Sequence, residues 1–119
     1  MQGNKEKNLI VELTFNFALS IIAYAELLER KRRFVLATQI LKSGTSIGAN
    51  VREAQNAESK ADFIHKLKIA AKEADEVEYW LMLCDQLDGY PDCKNLLKDC
   101  TSIILVLSKI IGSSKRSAR

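Results

Sequence analysis

An apolar residue recurs at helical spacing from Phe63 to Cys84, and this repeat constrains the fold more than any other feature of the chain. Its members are alternately four and three residues apart, which places them on one face of an α-helix. Ser59 and Asp62 stand just before the repeat, as at the start of a capped helix. We therefore predict a helix over residues 59–87. The stripe comprises Phe63, Leu67, Ala70, Ala74, Val77, Leu81 and Cys84.

Three other segments carry a similar stripe and predict helices over about residues 8–29, 33–56 and 92–112. The first stripe is Ile10, Leu13, Phe17, Ser20, Tyr24 and Leu27, widened by Ala18, Ile21, Ala25 and Leu28. The second is Ala37, Ile40, Leu41, Ile47, Val51 and Ala54. The fourth is Leu96, Cys100, Ile103, Leu107 and Ile110, seconded by Leu97, Ile104 and Ile111. Short connections between four helices favour an all-α, antiparallel up-down-up-down four-helix bundle. The 119 residues suffice for one such domain, spanning 1–119.

Turn and cap residues mark the ends of these helices. Four successive cations, Arg30, Lys31, Arg32 and Arg33, form the connection that we call the basic corner. Residues 88–92, DGYPD, predict a turn before the last helix. Asn8 is a candidate cap for the first helix, and Gly112 is a candidate end for the last. We expect residues 1–7 to be frayed and the basic tail 113–119 to be disordered.

The composition is that of an ordinary globular protein. Hydrophobic residues make up 47% of the chain and charged residues 28%, and the formal net charge is +3. The three cysteines form no zinc-like spacing, which favours a reducing compartment over a disulfide framework. The chain opens on a polar stretch and has no unbroken apolar run of the roughly 18 residues that a membrane helix needs. We therefore expect a cytoplasmic protein without a membrane partner.

Gly44 and Gly48 lie inside the predicted second helix, one turn apart. Each glycine costs about 1 kcal/mol relative to alanine in a helix. A helix that keeps two of them predicts a close backbone approach, which we assign to the small residues Ala70, Ala71 and Ala74 of the third helix.

No arrangement of residues predicts catalysis or a cofactor. Asp62 and His65 resemble half of a di-iron site, but His65 is the only histidine, and the inward positions of the first and last helices hold no glutamate. The acidic cluster of Glu73, Asp75, Glu76 and Glu78 fits a solvated helix face. We therefore expect no enzyme activity, no metal site and no cofactor.

Hydroxyl, amide and thiol side chains fit structural roles. No His or Lys base accompanies Ser43, Thr45 and Ser46, which are expected to bond back to helix carbonyls. Asn50 is expected to find a partner such as Lys60 or Lys66 on the next helix, in a network that fixes helix register; a functional surface is the alternative. The cysteines Cys84, Cys93 and Cys100 are expected to be free, with Cys84 and Cys100 in the core.

Apolar residues outside the stripes predict self-association. Large exposed apolar patches commonly mark interfaces, and a four-helix monomer cannot bury every side of its helices. The alternative is a wide core face with scattered apolar residues on the surface. The predicted interface residues are Leu105, Val106, Ile69 and Trp80, with Met82 similarly placed.

Clustered cations predict contacts with phosphates. The candidates are the four residues of the basic corner together with Lys115, Arg116 and Arg119 of the tail. A second, weaker group comprises Lys42, Arg52, Lys60 and Lys66. Clustered Lys and Arg bind nucleic acid in a salt-sensitive and largely sequence-independent way. A solvated turn that compensates a helix dipole is the alternative for the corner, and the absence of interleaved aromatic residues argues against base stacking.

Two blocks resemble a known family. Residues 41–54, LKSGTSIGANVREA, and residues 59–67, SKADFIHKL, continuing through KEA at 72–74 and EYWL at 78–81, are similar to bacterial four-helix bundle proteins of the 23S ribosomal RNA intervening-sequence type. The positions that carry the resemblance are Ser43, Gly44, Thr45, Ser46, Gly48, Asn50, Arg52, Glu53, Lys60, Asp62 and Phe63. The outer helices match only in pattern.

The resemblance implies a small cytosolic bundle without catalytic residues. It also implies a fold similar to the accessory protein of diversity-generating retroelements, which forms a pentameric ring and binds nucleic acid together with a reverse transcriptase. We therefore expect a homo-oligomer, with a pentamer favoured, that binds RNA or DNA or serves as a ribonucleoprotein accessory factor. The alternative is a protein–protein scaffold that touches no nucleic acid.

Overall fold

The computed structural model of the chain describes residues 2–117, with side chains described from residue 8 onward. Its described part consists of four α-helices and no strand: α1 (Gln2–Arg30), α2 (Phe34–Gln55), α3 (Lys60–Gln86) and α4 (Lys94–Ser117). Each helix packs against two others, in the pairs α1–α2, α2–α3, α3–α4 and α1–α4. The four predicted helices and their compact bundle packing are confirmed.

The apolar stripes of α3 and α4 form much of the core. In α3 every predicted stripe residue after Phe63 is buried, and Phe63 is partly buried. In α4 all five predicted stripe residues are buried. In α1 the core takes the predicted flanking residues Ile21, Ala25 and Leu28 and also Thr14, which was not predicted, whereas Ser20 and Leu27 of the predicted main stripe are exposed. The reason is that α1 carries apolar residues on two sides, so that spacing alone does not identify the inner one.

Turn and cap residues position the connections as predicted. The Ser59 hydroxyl accepts a hydrogen bond of 3.1 Å from the Asp62 amide and caps α3. At the basic corner Arg32 adopts a left-handed backbone with φ of 62°, and the Arg33 amide donates to the Leu28 carbonyl at 2.8 Å. Gly89, with φ of 80°, occupies the predicted turn between α3 and α4.

Both terminal predictions were wrong where the structure describes them. Helix α1 begins at Gln2 rather than at Asn8, and α4 passes through Gly112 and continues to Ser117. Residues 113–117 are therefore helical, and the rest of the predicted disordered tail lies outside the described residues. Residues 113–117 carry no apolar side chain that could pack on the core. The end of α4 is instead held by a polar contact, in which the Lys60 ammonium donates to the Ser117 hydroxyl at 2.6 Å.

The two glycines of α2 approach α1 and not α3, contrary to the prediction. A Cβ atom on Gly44 would lie 2.7 Å from Cγ2 of Ile21, and one on Gly48 would lie 3.2 Å from the Thr14 carbonyl oxygen. The glycines thus leave a notch for the Ile21 side chain and let the α1 backbone come close.

Asn50 also differs from its predicted role. Its side-chain amide donates to the Ser46 carbonyl of its own helix at 2.9 Å. The polar contact between α2 and α3 is instead the ion pair of Lys66 with Glu53, at 2.9 Å.

Helix α1 is unusually apolar for its degree of burial. By length and composition alone, Asn8–Arg30 could cross a membrane, and 33% of its most apolar window is buried in the bundle. One such helix is weak evidence for a membrane span, because core helices of soluble proteins meet the same criteria. The excess apolar surface of α1 faces outward and forms part of a surface described below.

Candidate interaction surfaces

The basic corner is an exposed cationic surface. All four of its side chains are exposed, and the two ion pairs found among residues 8–117, Lys66 with Glu53 and Lys94 with Asp85, involve none of them. The Arg33 guanidinium carbon lies 4.8 Å from the centroid of the Tyr90 ring. Its charge is thus held against an aromatic face rather than against a carboxylate. The corner can attract anions without first breaking an ion pair.

A second group of cations gathers where α4 ends beside the start of α3. We call Lys60, Lys68, Lys115 and Arg116 the α4-end cluster. The Lys68 ammonium lies close enough to Lys115 to lower the pKa of Lys115, through hydrogen bonding first and like-charge repulsion second. No carboxylate among the described residues forms an ion pair with these four cations.

A cavity of about 410 Å³ with a mixed polar and apolar lining adjoins the α4-end cluster. Hydroxyl, amide and ammonium groups contribute much of its lining. The lining residues are Ala54, Gln55, Ala57, Ser59, Lys60, Phe63, Ser113, Ser114 and Ser117.

The structure keeps these two cationic surfaces apart. The basic corner precedes α2 and the α4-end cluster lies beyond it, and a helix of 22 residues is about 33 Å long. Arg119, predicted with the same group, lies outside the described residues. Of the weaker group, Lys66 pairs with Glu53, and this contact raises the pKa of Lys66. Arg52 lines a small cavity between α1 and α2.

The four predicted interface residues do not share one surface. Leu105 is 65% exposed, Val106 and Trp80 are partly buried against the core, and Ile69 is partly buried. By helical spacing Ile69 and Trp80 lie on the side of α3 that carries Lys66, which faces α2. Val106 lies instead on the side of α4 that carries Ser102, which borders α1. The role of the four in assembly stays a prediction.

Helices α1 and α2 expose a larger apolar surface, which sequence analysis missed. We call Val11, Phe15, Leu19, Ile22 and Leu41 the α1–α2 face. The exposed fraction is 62% for Phe15 and 54% for Leu19, and no member falls below 38%. Val11 and Phe15 also line a cavity of about 220 Å³ against Thr45, Gly48 and Ala49 of α2. The sequence feature that could have predicted this face is the second apolar side of α1.

The hydroxyls of the α2 motif bond to their own helix, as predicted. Ser43, Thr45 and Ser46 donate to the carbonyls of Gln39, Leu41 and Lys42 at 2.8, 2.7 and 2.6 Å. These bonds use the hydroxyl protons and leave the motif a structural role.

The three cysteines are free and buried. Burial raises the pKa of Cys84, that of Cys93 to about 11 and that of Cys100 to about 12. Nearby, the buried Tyr24 hydroxyl donates to the Pro91 carbonyl at 2.7 Å, and burial raises the pKa of Tyr24 as well. Thiols held neutral in this way are poor nucleophiles and poor metal ligands.

Potential metal ligands are dispersed in the described part of the chain. No three His, Cys, Asp or Glu side chains in that part lie close enough together to hold a metal ion. His65 is exposed on α3. Glu73 is partly buried, and desolvation is the main cause that raises its pKa, with Glu76 contributing.

Comparison with known families bears on these surfaces. The family model of the 23S rRNA-intervening sequence protein matches residues 6–109. The chain belongs to this family. The matched region includes α2, α3 and the basic corner, and it ends within α4, before Lys115 and Arg116. No curated protein matches the chain.

Among solved structures, the chain is similar to a protein of unknown function from the S23 ribosomal protein family of Bacteroides thetaiotaomicron. The two are 43% identical, with a TM-score of 0.84, over 90% of this chain and 98% of the other. The resemblance noted in the α2 and α3 motifs is thus confirmed across most of the chain.

Proposed function

We propose that this protein is a non-enzymatic, cytoplasmic homo-oligomer that binds nucleic acid, with RNA favoured, and serves as a ribonucleoprotein accessory factor. The observation that carries the proposal is the basic corner, where four exposed cations lie side by side without a carboxylate partner among the described residues. Membership in the 23S rRNA-intervening sequence family is consistent with an RNA ligand.

Binding to phosphates follows from the electrostatics of the corner. Each Lys or Arg that contacts a phosphate releases condensed counterions, which makes the affinity depend steeply on salt. The α4-end cluster offers a second set of cations at a different site. A ligand that spans both would have to be long, or would have to contact both on neighbouring subunits.

Self-association follows from the α1–α2 face. An apolar surface with a 62% exposed phenylalanine beside a cavity fits a partner subunit better than water. We favour a pentamer on the family resemblance, since a ring would repeat the +3 charge of each subunit around one axis. We also infer that the helices run alternately up and down. The proximity of Gly44 to Ile21 and of Gly48 to Thr14 supports this for α1 and α2, and the contacts of Lys60 with Ser117 and of Asp85 with Lys94 support it for α3 and α4.

A scaffold that binds only protein is the second candidate, favoured by the same α1–α2 face. The two candidates differ in their response to salt, because an apolar interface does not weaken as ionic strength rises.

Fluorescence anisotropy with a structured RNA fragment and a matched DNA duplex tests the proposal. We expect micromolar or tighter binding at low salt, a steep loss near physiological salt, and loss of binding when the basic corner is changed to glutamine. The absence of binding to either ligand at low salt would contradict the proposal and leave the scaffold.

A further inference from the structure

Contrary to the expectation from the sequence that no aromatic residue accompanies its cations, the basic corner has aromatic groups beside them. The connection between α3 and α4 brings the Tyr90 ring against Arg33, far from it in sequence. Phe34, the first residue of α2, is 54% exposed. A plain solvated turn gives no reason for a phenylalanine to face water beside four cations, because an exposed ring forgoes the hydrophobic stabilisation of burial.

The Arg33 guanidinium is exposed and lies beside an aromatic ring. Its carbon is 4.8 Å from the centroid of Tyr90, and the side chain as a whole is exposed to solvent. Gly89 is also beside it, since a Cβ atom there would make an ordinary contact of 3.6 Å with a guanidinium nitrogen of Arg33. Guanidinium planes and aromatic rings are the groups on which proteins stack unpaired bases.

The Phe34 ring and the Arg33 guanidinium favour a nucleic acid whose bases are unpaired. In a duplex the flat faces of the bases are covered by their neighbours, so a stacking surface on the protein has nothing to contact except at an end. In a single strand or a loop the bases can turn outward and stack on the protein while the phosphates stay within reach of the cations.

We propose that the basic corner binds unpaired nucleotides, with bases stacked on the exposed Phe34 ring and on the exposed Arg33 guanidinium. Arg30, Lys31 and Arg32 hold the flanking phosphates. The inference rests on the proposed function and names the class of ligand: single-stranded RNA or DNA, or an unpaired loop within a folded RNA.

The test compares an unstructured RNA strand with a fully paired, blunt-ended RNA duplex of the same length, titrated by fluorescence anisotropy against the full chain. We expect the unstructured strand to bind more tightly. Phe34→Ala should weaken its binding about five- to hundredfold, the range for losing one stacked base, and should leave duplex binding unchanged. Arg33→Lys keeps the charge but removes the plane, so it should also weaken binding to the unstructured strand.

Val35→Ala is the matched control, because Val35 is apolar, 77% exposed and next in the chain. It should change neither affinity. Equal binding of both RNAs with no effect of Phe34→Ala would overturn this inference and leave the proposed function intact. Failure to bind either RNA would overturn both.

A competing role for Phe34 is part of the same experiment. By helical spacing Phe34 shares a side of α2 with Leu41, at the end of the α1–α2 face. If Phe34→Ala lowers the oligomeric mass without changing the preference for the unstructured strand, the ring belongs to the subunit interface and the stacking proposal is wrong.

Discussion

Gly44 is the residue at which the packing of α2 against α1 leaves the least room. All three carbon atoms of Ile21 beyond Cβ lie within 3.1 Å of the position that a Cβ atom on Gly44 would take. Sequence reasoning found the glycines and their need for a close contact but assigned the contact to the wrong helix. The spacing of glycines shows which side of α2 they occupy, whereas the neighbour on that side depends on the whole arrangement of the bundle.

We predict that Gly44→Ala lowers the free energy of unfolding by up to about 2 kcal/mol, because overpacking costs about 1–3 kcal/mol and the better helix propensity of alanine returns about 1 kcal/mol. Ile21→Ala removes the atoms that the new methyl group would meet. The double variant should therefore lose less free energy of unfolding than the sum of the losses of the two single variants. Chemical unfolding of the four proteins measures this. Gly112→Ala is the control, because its Cβ would meet only Arg116 at an ordinary 3.5 Å. Simple additivity of the two changes would contradict the close contact.

The buried thiols predict a loss of stability at alkaline pH. The folded pKa of Cys93 is raised from 9.0 to about 11 and that of Cys100 to about 12. Below pH 9 both states keep these protons; above it the unfolded chain releases them and the folded chain does not. The free energy of unfolding should therefore fall as pH rises from about 9 towards 11–12.

Thiol titration checks the same point directly. A thiol-reactive dye should modify the three cysteines slowly in the folded protein at pH 8 and rapidly after unfolding. A Cys93→Ala and Cys100→Ala double variant should lose part of the alkaline destabilisation. Rapid reaction of the folded protein would show that the thiols are accessible.

At the scale of the helices, the spacing of apolar residues predicts the buried side correctly where a helix has a single apolar side. This holds for α3 and α4, whose stripes are almost wholly buried as predicted. It fails for α1, whose two apolar sides compete for the core, and for the end of α4. There the sequence has no large apolar residue beyond Ile111, and a contact of Ser117 with Lys60 across the fold accompanies the extra helical residues.

Ser59 is predicted to be the main local determinant of the start of α3. Ser59→Ala removes the hydroxyl that accepts from the Asp62 amide and should lower the free energy of unfolding by about 1 kcal/mol. Thermal unfolding followed by circular dichroism measures the change. Ser108→Ala, at an exposed position inside α4, serves as the control and should be neutral or slightly stabilising. Equal effects of the two substitutions would mean that Ser59 contributes no cap.

At the scale of the whole molecule, burial distinguishes surfaces that sequence spacing cannot. Sequence analysis identified both sets of cations but could not show that the length of α2 separates them, since that separation depends on the path of the chain. It placed the interface on α3 and α4 because their off-stripe residues were conspicuous. The α1–α2 face became visible only once the inner side of α1 was known.

Two charge substitutions decide between the candidate interfaces. We predict that Phe15→Glu lowers the oligomeric mass, measured by light scattering, while the helical circular dichroism signal is kept, because a buried glutamate without a partner is costly at an apolar contact. Leu105→Glu places the same charge at a similarly exposed leucine on α4 and should leave the mass unchanged. The reverse result would restore the interface predicted from the sequence.

The most direct test of nucleic-acid binding at the basic corner is the salt dependence of affinity for an unstructured RNA. Three titration series are needed: the unaltered chain, a variant with Arg30, Lys31 and Arg32 changed to glutamine, and a variant with Lys60, Lys115 and Arg116 changed to glutamine. Each variant loses three positive charges. We predict that the corner variant loses about 2 from the slope of log affinity against log salt, since each phosphate contact with a single strand contributes about 0.7. Equal slopes for the two variants, or no binding by the unaltered chain, would contradict a nucleic-acid site at the corner.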